Sequence, residues 1–392
     1  MNRYVRSKPD LSAPNAPSQI NYRIITNLTH LMYLIILPFY LIYLTLYHII
    51  TPKPFSSWTI DRRISINLSK LQQYLSGWWI PPPPIEWEDW KISIPGESYI
   101  KSKERGEIDL KVVKFEPVKP DYIKGIIDVQ NIKTIPRPGF LISPIGSKGK
   151  LDDISKIDEK VILHIHGGGY IRGHPLWTTF PLEISRSTKL RCLSVNYRKT
   201  LSEDTAFPAP ILDVLSAYLY LVQNLKFKSE NIILLGESAG AHLALFLSQY
   251  LKDLYLSQPG YLFLSSPWSD FTLTYAIEQE HKAYCHSTTF RLSRAIRSAT
   301  RYYNLDFLNT GYASPAKMSK GGWDYLRKEK VKVYMHYGGR ELFHDEIVAL
   351  GEGMKRDGVD VMMRLDPDGL HTSGISGDAG EVFKKDILEI LS

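Results

Sequence analysis

The chain has 392 residues, of which 44% are hydrophobic, 12% aromatic and 23% charged. A disordered chain would be poorer in apolar residues and richer in charge, so that class is excluded. The 48 basic and 41 acidic side chains leave a net charge of +7, which permits contact with an anionic surface but does not require nucleic acid. Two cysteines, Cys192 and Cys285, cannot form a disulfide framework or a cysteine-based metal site, and they leave only a single disulfide open.

Residues 1–23 read as a flexible, polar tail, and a long apolar run follows them. Between residues 31 and 50 the run is interrupted only by Pro38, Thr45 and His48, and no charged residue lies between Ile24 and Pro52. About 20 such residues cross a bilayer, whereas the core of a signal peptide has roughly 7–15. We therefore expect a transmembrane anchor over residues 24–50, with a buried core helix or an uncleaved hydrophobic hairpin as the alternatives.

The residues that flank this run give opposite indications of its orientation. Arg23 precedes the run and Lys53, Arg62 and Arg63 follow it, so the positive-inside rule favours a cytosolic C-terminal side. The glycosylation sequon at Asn67 favours the opposite orientation, because it is used only in the lumen.

Residues 51–84 combine a short amphipathic pattern with the stiff spacer Pro81 to Pro84. Residues 85–392 are expected to form one α/β domain, because short apolar strands alternate with longer helical patterns, as in a mostly parallel sheet with helical crossovers. Residues 271–325 lack a strand pattern and are expected to form an inserted lid. The predicted strands cover residues 161–165, 190–197, 231–235, 261–265, 331–337 and 359–365, and the predicted helices cover residues 211–225 and 241–251.

The segment from Gly236 to Gly240 reads GESAG and lies between a predicted strand and a predicted helix. G-x-S-x-G in that context is the nucleophile elbow, a tight turn that raises the Ser238 hydroxyl above the edge of the sheet. The glycines permit the turn, and the start of the helix supplies partial positive charge to a developing oxyanion.

A second glycine-rich segment, His166 to Tyr170 (HGGGY), directly follows the predicted strand 161–165. Consecutive glycines let backbone N–H groups approach a substrate oxygen, and each such donor contributes about 10²–10³ in rate to a tetrahedral intermediate. We expect the oxyanion donors to be the N–H groups of Gly168, Gly169 and Ala239.

A serine nucleophile needs a base and an acid that orients the base, and in this fold they follow in the order Ser, acid, His. His371 lies on the loop past the last predicted strand, where the base is expected. Glu341 lies at the tip of the preceding strand's loop and is the favoured acid. Asp345 is the alternative, although it can equally cap the next helix.

The pairing of HGGGY with GESAG resembles the hormone-sensitive-lipase-like branch of the α/β hydrolases. The segment GGRELFHDE is similar to the acid loop of that family and DGLH is similar to its base segment, so the resemblance also favours Glu341, where most members have Asp. It implies an α/β-hydrolase fold with a helical cap and a serine esterase activity that needs no metal or cofactor.

With its N-terminal anchor, the chain looks like the arylacetamide deacetylases and the fungal steryl deacetylases. That resemblance implies a single-pass protein of the endoplasmic reticulum membrane with a lumenal hydrolase domain. It implies a small hydrophobic ester, such as an acetylated sterol, as substrate, the bilayer as a partner and no nucleic acid. A ligand-binding pseudo-hydrolase and an acyltransferase are the alternatives, and the presence of His371 argues against the first.

The predicted lid also carries a basic helix, in which Arg291, Arg294, Arg297 and Arg301 are predicted to share one face. Such a face is most often solvated. A contact with the membrane surface near the substrate entrance is the alternative interpretation.

Overall fold

The computed structural model describes residues 19–76, 94–278, 284–285 and 287–392. Most of the predicted tail, the spacer Pro81 to Pro84 and part of the predicted lid lie outside the described residues.

A single eight-stranded sheet organises the domain, with the spatial order β1-β2-β4-β3-β5-β6-β7-β8. The pairs β1–β2 and β2–β4 are antiparallel and the other neighbouring strands are parallel, so the predicted mostly parallel α/β sheet is confirmed. The strands are β1 Ile108–Phe115, β2 Arg137–Pro144, β3 Val161–Ile165, β4 Arg191–Val195, β5 Ile232–Glu237, β6 Tyr261–Ser265, β7 Lys332–Gly338 and β8 Asp360–Asp366.

Helices cover both faces of the sheet, which is why its central strands are apolar at nearly every position. Successive residues of a strand point to opposite faces, so Leu163 of β3 belongs to the core cluster that includes residues of α5, α6 and α10, whereas Ile162 belongs to the cluster that includes residues of α4 and α11. The helices are α1 Gln19–Ile50, α2 Ile60–Ser76, α3 Ile94–Glu104, α4 Phe180–Thr188, α5 Ala209–Leu219, α6 Ala239–Asp253, α7 Thr274–Glu278, α8 Thr289–Ala299, α9 Asp324–Lys328, α10 His344–Arg356 and α11 Gly377–Leu391.

The apolar N-terminal run forms most of α1. Its part Leu31–Ile50 is long and apolar enough to cross a membrane, and only 11% of that window is buried. Leu34 and Phe39 are 64% and 72% exposed, respectively. A second stretch, Glu203–Asn224, is also long and apolar enough to cross a membrane. It is 78% buried, however, because it contains the core helix α5. An apolar surface such as that of α1 requires a non-aqueous partner.

The structure also differs from the sequence predictions in local details. Helix α5 begins at Ala209, two residues before the predicted start, and its last predicted turn is a π-helical segment, Tyr220–Asn224. The single disulfide left open by the cysteine count does not form, since Cys192 and Cys285 are both free and buried.

The four arginines of the basic helix do not share one solvated face, so that prediction is wrong. Arg297 is exposed, Arg291 and Arg294 are half-buried, and Arg301 lies beyond the end of α8. The Arg301 guanidinium is 2% exposed and donates to the carbonyl of Ser298. The helix packs on the domain through Leu292, Ala295 and Ile296, which orients part of its basic face inward.

Candidate active site

The turn between β5 and α6 holds Ser238 in a strained backbone conformation, with φ 55° and ψ −121°. A side-chain carbon at Gly240 would lie 1.9 Å from the carbonyl oxygen of Ile165, and one at Gly236 would lie 2.7 Å from the backbone of Ala241. Only glycine therefore fits at the two ends of the motif. Strain of this kind persists where the surrounding structure holds it in place, which is typical of functional sites.

Ser238 and the two residues expected to assist it lie at the carboxyl ends of β5, β7 and β8. His371 Nε2 is 2.9 Å from Ser238 Oγ, and His371 Nδ1 is 2.7 Å from Glu341 Oε2. The structure thus brings Ser238 to within hydrogen-bond distance of His371, 133 positions further along the chain, and His371 next to Glu341. Both distances fall within the range expected for a nucleophile, a base and an orienting group.

Asp345, the alternative acid, lies elsewhere. Its Oδ1 pairs with Nδ1 of His344, 2.8 Å away, in the first turn of α10. Glu341, in contrast, is completely buried beside His371. The geometry therefore favours Glu341 over Asp345.

A residue that the sequence reasoning did not assign, Ser266, connects the acid loop with the base loop. Its hydroxyl donates to Glu341 Oε1 over 2.9 Å and accepts a hydrogen bond from the backbone N–H of Thr372, directly after His371. The Gly338 N–H also donates to Glu341 Oε1.

The HGGG loop leaves β3 and lies against the nucleophile turn. Gly168 and Gly169 have φ values of 117° and 63°, which L side chains rarely adopt. Within the described residues, the N–H groups of Gly168, Gly169 and Ala239 donate to no other residue. All three donors are therefore free to bind a substrate oxygen beside Ser238.

Below this loop lies a buried pair that the sequence analysis missed, Lys199 and His166. Lys199 Nζ is 3.0 Å from His166 Nε2, and the His166 ring stacks on Tyr197 with 4.3 Å between centroids. Burial is the main reason that the pKa of Lys199 and the pKa of His166 both lie well below their usual values. His166 Nδ1 faces the carbonyl of Gly167 and must be the protonated nitrogen, so Nε2 accepts from Lys199.

A second buried histidine engages the residue before the nucleophile. His164 Nε2 lies 2.9 Å from Glu237 Oε2 and His164 Nδ1 lies 2.8 Å from Ser194 Oγ. His242, in the first turn of α6, stacks on Phe271 and contacts the Tyr170 hydroxyl. Both histidines therefore have structural roles in supporting their neighbours, and neither contacts Ser238 Oγ.

Ser238 opens into a cavity of about 300 Å³ between the HGGG loop and helix α8. Its apolar lining suits a hydrophobic group, and two arginines and Glu237 supply charge. In the part of the chain that the structure describes, no group of three or more His, Cys, Asp or Glu side chains is placed to hold a metal ion. The apolar lining residues include Ile171, Trp177, Trp268, Leu292, Phe343 and Ile375.

Comparison with known proteins agrees with this architecture. The sequence profile of a family described as alpha/beta hydrolase fold matches residues 162–373, more than half of the chain. The chain belongs to the α/β hydrolase family. The fold predicted from the glycine motifs is thereby confirmed.

Two curated relatives and one solved structure illustrate the similarity. An esterase of Acinetobacter venetianus is 29% identical over 204 residues, which cover 49% of this chain and 63% of the esterase. An acetyl-hydrolase of Streptomyces hygroscopicus is 26% identical over 215 residues, 55% of this chain and 68% of the relative. The crystal structure of a hormone-sensitive lipase from a metagenome library is 19% identical, with a TM-score of 0.58 over 84% of this chain and 96% of that one, and supports the fold alone. The chain thus spans less than two thirds of the Acinetobacter esterase.

Proposed function

We propose that this chain is a membrane-anchored serine carboxylester hydrolase. The observation that carries the proposal is the continuous hydrogen-bonded chain from Ser238 Oγ through His371 to Glu341, with distances of 2.9 and 2.7 Å, at the base of an accessible cavity. The names of the esterase and acetyl-hydrolase relatives support ester hydrolysis as the reaction.

In the proposed mechanism, His371 Nε2 accepts the proton of Ser238 as Oγ attacks the ester carbonyl. The carbonyl oxygen becomes an oxyanion and accepts hydrogen bonds from the N–H groups of Gly168, Gly169 and Ala239. His371 then donates its proton to the departing alcohol, which leaves the acyl group on Ser238. A water molecule attacks this acyl group with the same assistance from His371, and the carboxylic acid is released. Glu341 holds the imidazole in the tautomer with the proton on Nδ1 and stabilises its charged form.

For the substrate, we propose a lipophilic ester with a short acyl group, in particular an acetate such as an acetylated sterol. The acetyl-hydrolase relative and the resemblance to membrane-anchored deacetylases support the acyl group. The apolar cavity lining, with Trp268, Leu292 and Phe343, supports a hydrophobic substrate.

We further propose that residues 24–50 anchor the protein in the endoplasmic reticulum membrane and that the domain formed by residues 85–392 lies in the lumen. The exposed apolar surface of Leu31–Ile50 supports the anchor. Residues 51–84 then connect anchor and domain, and residues 271–325 form the lid, in which α8 lines the cavity.

The experiment compares the full chain and its Ser238→Ala variant in detergent micelles. We expect the wild type to release acetate from a lipophilic acetate and to be labelled by a neutral fluorophosphonate, and the variant to lose both. Unchanged turnover in Ser238→Ala would overturn the mechanism. Labelling without acetate release, with acetyl transfer to an added alcohol, would indicate an acyltransferase instead.

A further inference from the structure

Two arginines of the substrate cavity, Arg172 and Arg291, have no carboxylate partner. Arg172 follows the HGGG loop, and Arg291 lies in the first turn of α8. Among the described residues, the Arg172 guanidinium lies over the ring face of Trp177, 6.0 Å from its centroid. Throughout the described parts of the chain, neither guanidinium forms an ion pair, so both keep their donors for something that enters the cavity.

The buried arginines elsewhere in the domain show how this chain normally compensates such charges. Arg191 is paired with Glu159 at 2.9 Å, and Arg198 is paired with Asp213 at 2.7 Å. Removing a guanidinium from water without a counter-ion is costly, and the cost is repaid only by good ionic and hydrogen-bonded partners. Arg172 is exposed and Arg291 is half-buried, so water still solvates part of each cavity arginine, and within the described residues neither has such an ionic partner.

The two cavity arginines also repel each other. Burial, followed by the charge of Arg172, lowers the pKa of Arg291 to about 9, which still leaves it cationic at neutral pH. An anion bound by both guanidinium groups would offset the burial of Arg291 and its repulsion by Arg172.

The remaining charge in the cavity does not neutralise them. Glu237 is the one acidic residue among the described lining residues, and its Oε2 is engaged by His164. Burial lowers the pKa of His174 to about 4, so this lining histidine is neutral. The lining as a whole is therefore cationic on the side of Arg172 and Arg291.

We propose that the ester attacked by Ser238 carries an anionic group, a carboxylate or a sulfate or phosphate ester, that Arg172 and Arg291 bind. The inference rests on the proposed hydrolase function and narrows its substrate class to acidic lipophilic esters. Guanidinium groups suit this role, because their planar donors match the two oxygens of such an anion. A neutral sterol acetate would leave both arginines unpaired and should be the poorer substrate.

A contact of α8 with anionic lipid is the competing explanation. Arg291 lines the cavity together with Leu292 and Ala295 of the same helix, which favours a substrate. Arg297 is exposed on α8 and does not line the cavity, so Arg297→Gln is a matched control for the membrane explanation.

The test compares kcat/KM for two pairs of esters with the full chain in neutral detergent. 4-Acetoxybenzoate and its methyl ester differ by a charge in the alcohol part, and 4-nitrophenyl hydrogen glutarate and 4-nitrophenyl pentanoate differ by a charge in the acyl part. Each ratio of charged to neutral ester is measured for the wild type, Arg172→Gln, Arg291→Gln and Arg297→Gln. Comparing ratios between variants cancels the intrinsic reactivity of each ester.

We expect Arg291→Gln and Arg172→Gln to lower the ratio for one pair by about 10–100-fold, the usual value of a hydrogen bond to a charged group, while the neutral ester changes by less than about threefold. The affected pair identifies which part of the substrate carries the anion. Arg297→Gln should leave both ratios unchanged.

Ratios that are equal in the wild type, Arg172→Gln and Arg291→Gln would overturn the inference. So would losses that appear only with esters presented in anionic vesicles and that Arg297→Gln shares. Labelling of Ser238 by a neutral fluorophosphonate verifies that each variant is folded. If the wild type hydrolyses neither ester and is not labelled, the proposed function itself fails, and this inference with it.

Discussion

At the scale of single residues, Glu341 has both carboxylate oxygens engaged. Oε2 faces His371 Nδ1, and Oε1 accepts from Ser266 and from the Gly338 N–H. Glu341→Gln replaces one carboxylate oxygen by an NH2 group, which cannot accept a hydrogen bond from Nδ1–H, and it removes the charge that stabilises the imidazolium. We expect kcat to fall by about 10³-fold or more, measured with a soluble acetate ester.

The matched control for this prediction is Asp345→Asn. Asp345 contacts His344 and not His371, so its kcat should stay within about twofold of the wild type. A large loss in Asp345→Asn together with a small loss in Glu341→Gln would show that the acid has been assigned to the wrong residue.

Ser266 gives a second prediction at this scale. Ser266→Ala removes the donor to Glu341 Oε1 and leaves the Thr372 N–H without its acceptor, so the acid and the base lose a shared support. We expect kcat to fall by about tenfold or more with little change in KM, because a hydrogen bond to a charged carboxylate contributes roughly 1.5–3 kcal/mol. Ser266→Thr retains the hydroxyl and should recover part of the rate, whereas equal losses in both variants would contradict a positioning role.

The sequence alone predicts the roles of some of these residues but not of others. Ser238 and His371 follow from a motif and from chain order, because the fold places both after strands. Ser266 carries no such signal, since its proposed role arises from contacts with residues that are distant in the chain. Ser266 lies 75 positions from Glu341, and only the folded sheet brings them within 2.9 Å.

At the scale of elements, Glu346 joins helix α10 to the segment after β6. Its Oε1 accepts from the N–H groups of Ser269 and Asp270, while its buried Oε2 has no hydrogen-bond partner among the described residues. Burial and, less strongly, the charge of Asp270 raise the pKa of Glu346 well above its usual value. The folded state therefore binds this proton more tightly than the unfolded state does.

The direction in which stability changes with pH follows from this difference in proton binding between the folded and unfolded states. The protonated Glu346 stabilises the fold most fully below the unfolded pKa, near 4.5, and that stability is lost as pH rises through the raised folded pKa. Glu346→Gln resembles the protonated form at every pH. We expect its melting temperature to match the wild type near pH 4.5 and to exceed it at pH 8, measured in the same detergent. A difference that is constant across this range would contradict the prediction.

The connection between α1 and α2 packs directly on the loop that carries His371. Trp58 is 2% exposed, and its Nε1 donates to the carbonyl of Asp368 over 3.3 Å. Ser57 donates to the Asp368 carboxylate, and the Arg340 guanidinium lies 4.0 Å from the centroid of the Phe55 ring. The loops of both the acid and the base thus rest against the end of the proposed anchor.

We therefore expect Trp58→Ala to reduce both stability and activity. Loss of a buried Trp costs about 3–5 kcal/mol, and a small displacement of the His371 loop is expected to lower kcat by roughly tenfold or more. Trp58→Phe keeps a ring against Phe55 and Tyr284 and should retain most of the rate. Wild-type kcat in a stable Trp58→Ala protein would show that the connection does not support the site.

The elements themselves were largely predictable, because buried parallel strands are short apolar runs bounded by turn residues. Strands 161–165 and 261–265 agree with β3 and β6 residue for residue. The inward direction of Arg291 was not predictable, since the periodicity of α8 gives its faces but not which of them meets a cavity. The contact between Trp58 and Asp368 spans 310 positions, and no local pattern indicates it.

At the scale of the whole molecule, the net charge of +7 can be assigned in part to particular side chains. Part of it is the unpaired charge inside the cavity, where it would act on a ligand. The proposed substrate, with an apolar body and an acidic group, matches the apolar side chains and the arginines that line the cavity.

The side of the membrane on which the domain lies is a property of the whole molecule. Asn67 lies on α2 beyond the proposed span, half-buried, with its amide donating to the Arg63 carbonyl over 2.9 Å. A large domain translocates largely regardless of the charges near the span, so the residues that follow the anchor are compatible with a lumenal domain. We expect the full chain, expressed in eukaryotic cells, to carry a glycan that an endoglycosidase removes and that Asn67→Gln abolishes. The domain in sealed microsomes should resist added protease. An unglycosylated chain whose domain is digested in intact microsomes would place it in the cytosol, as the nearest basic residues favour.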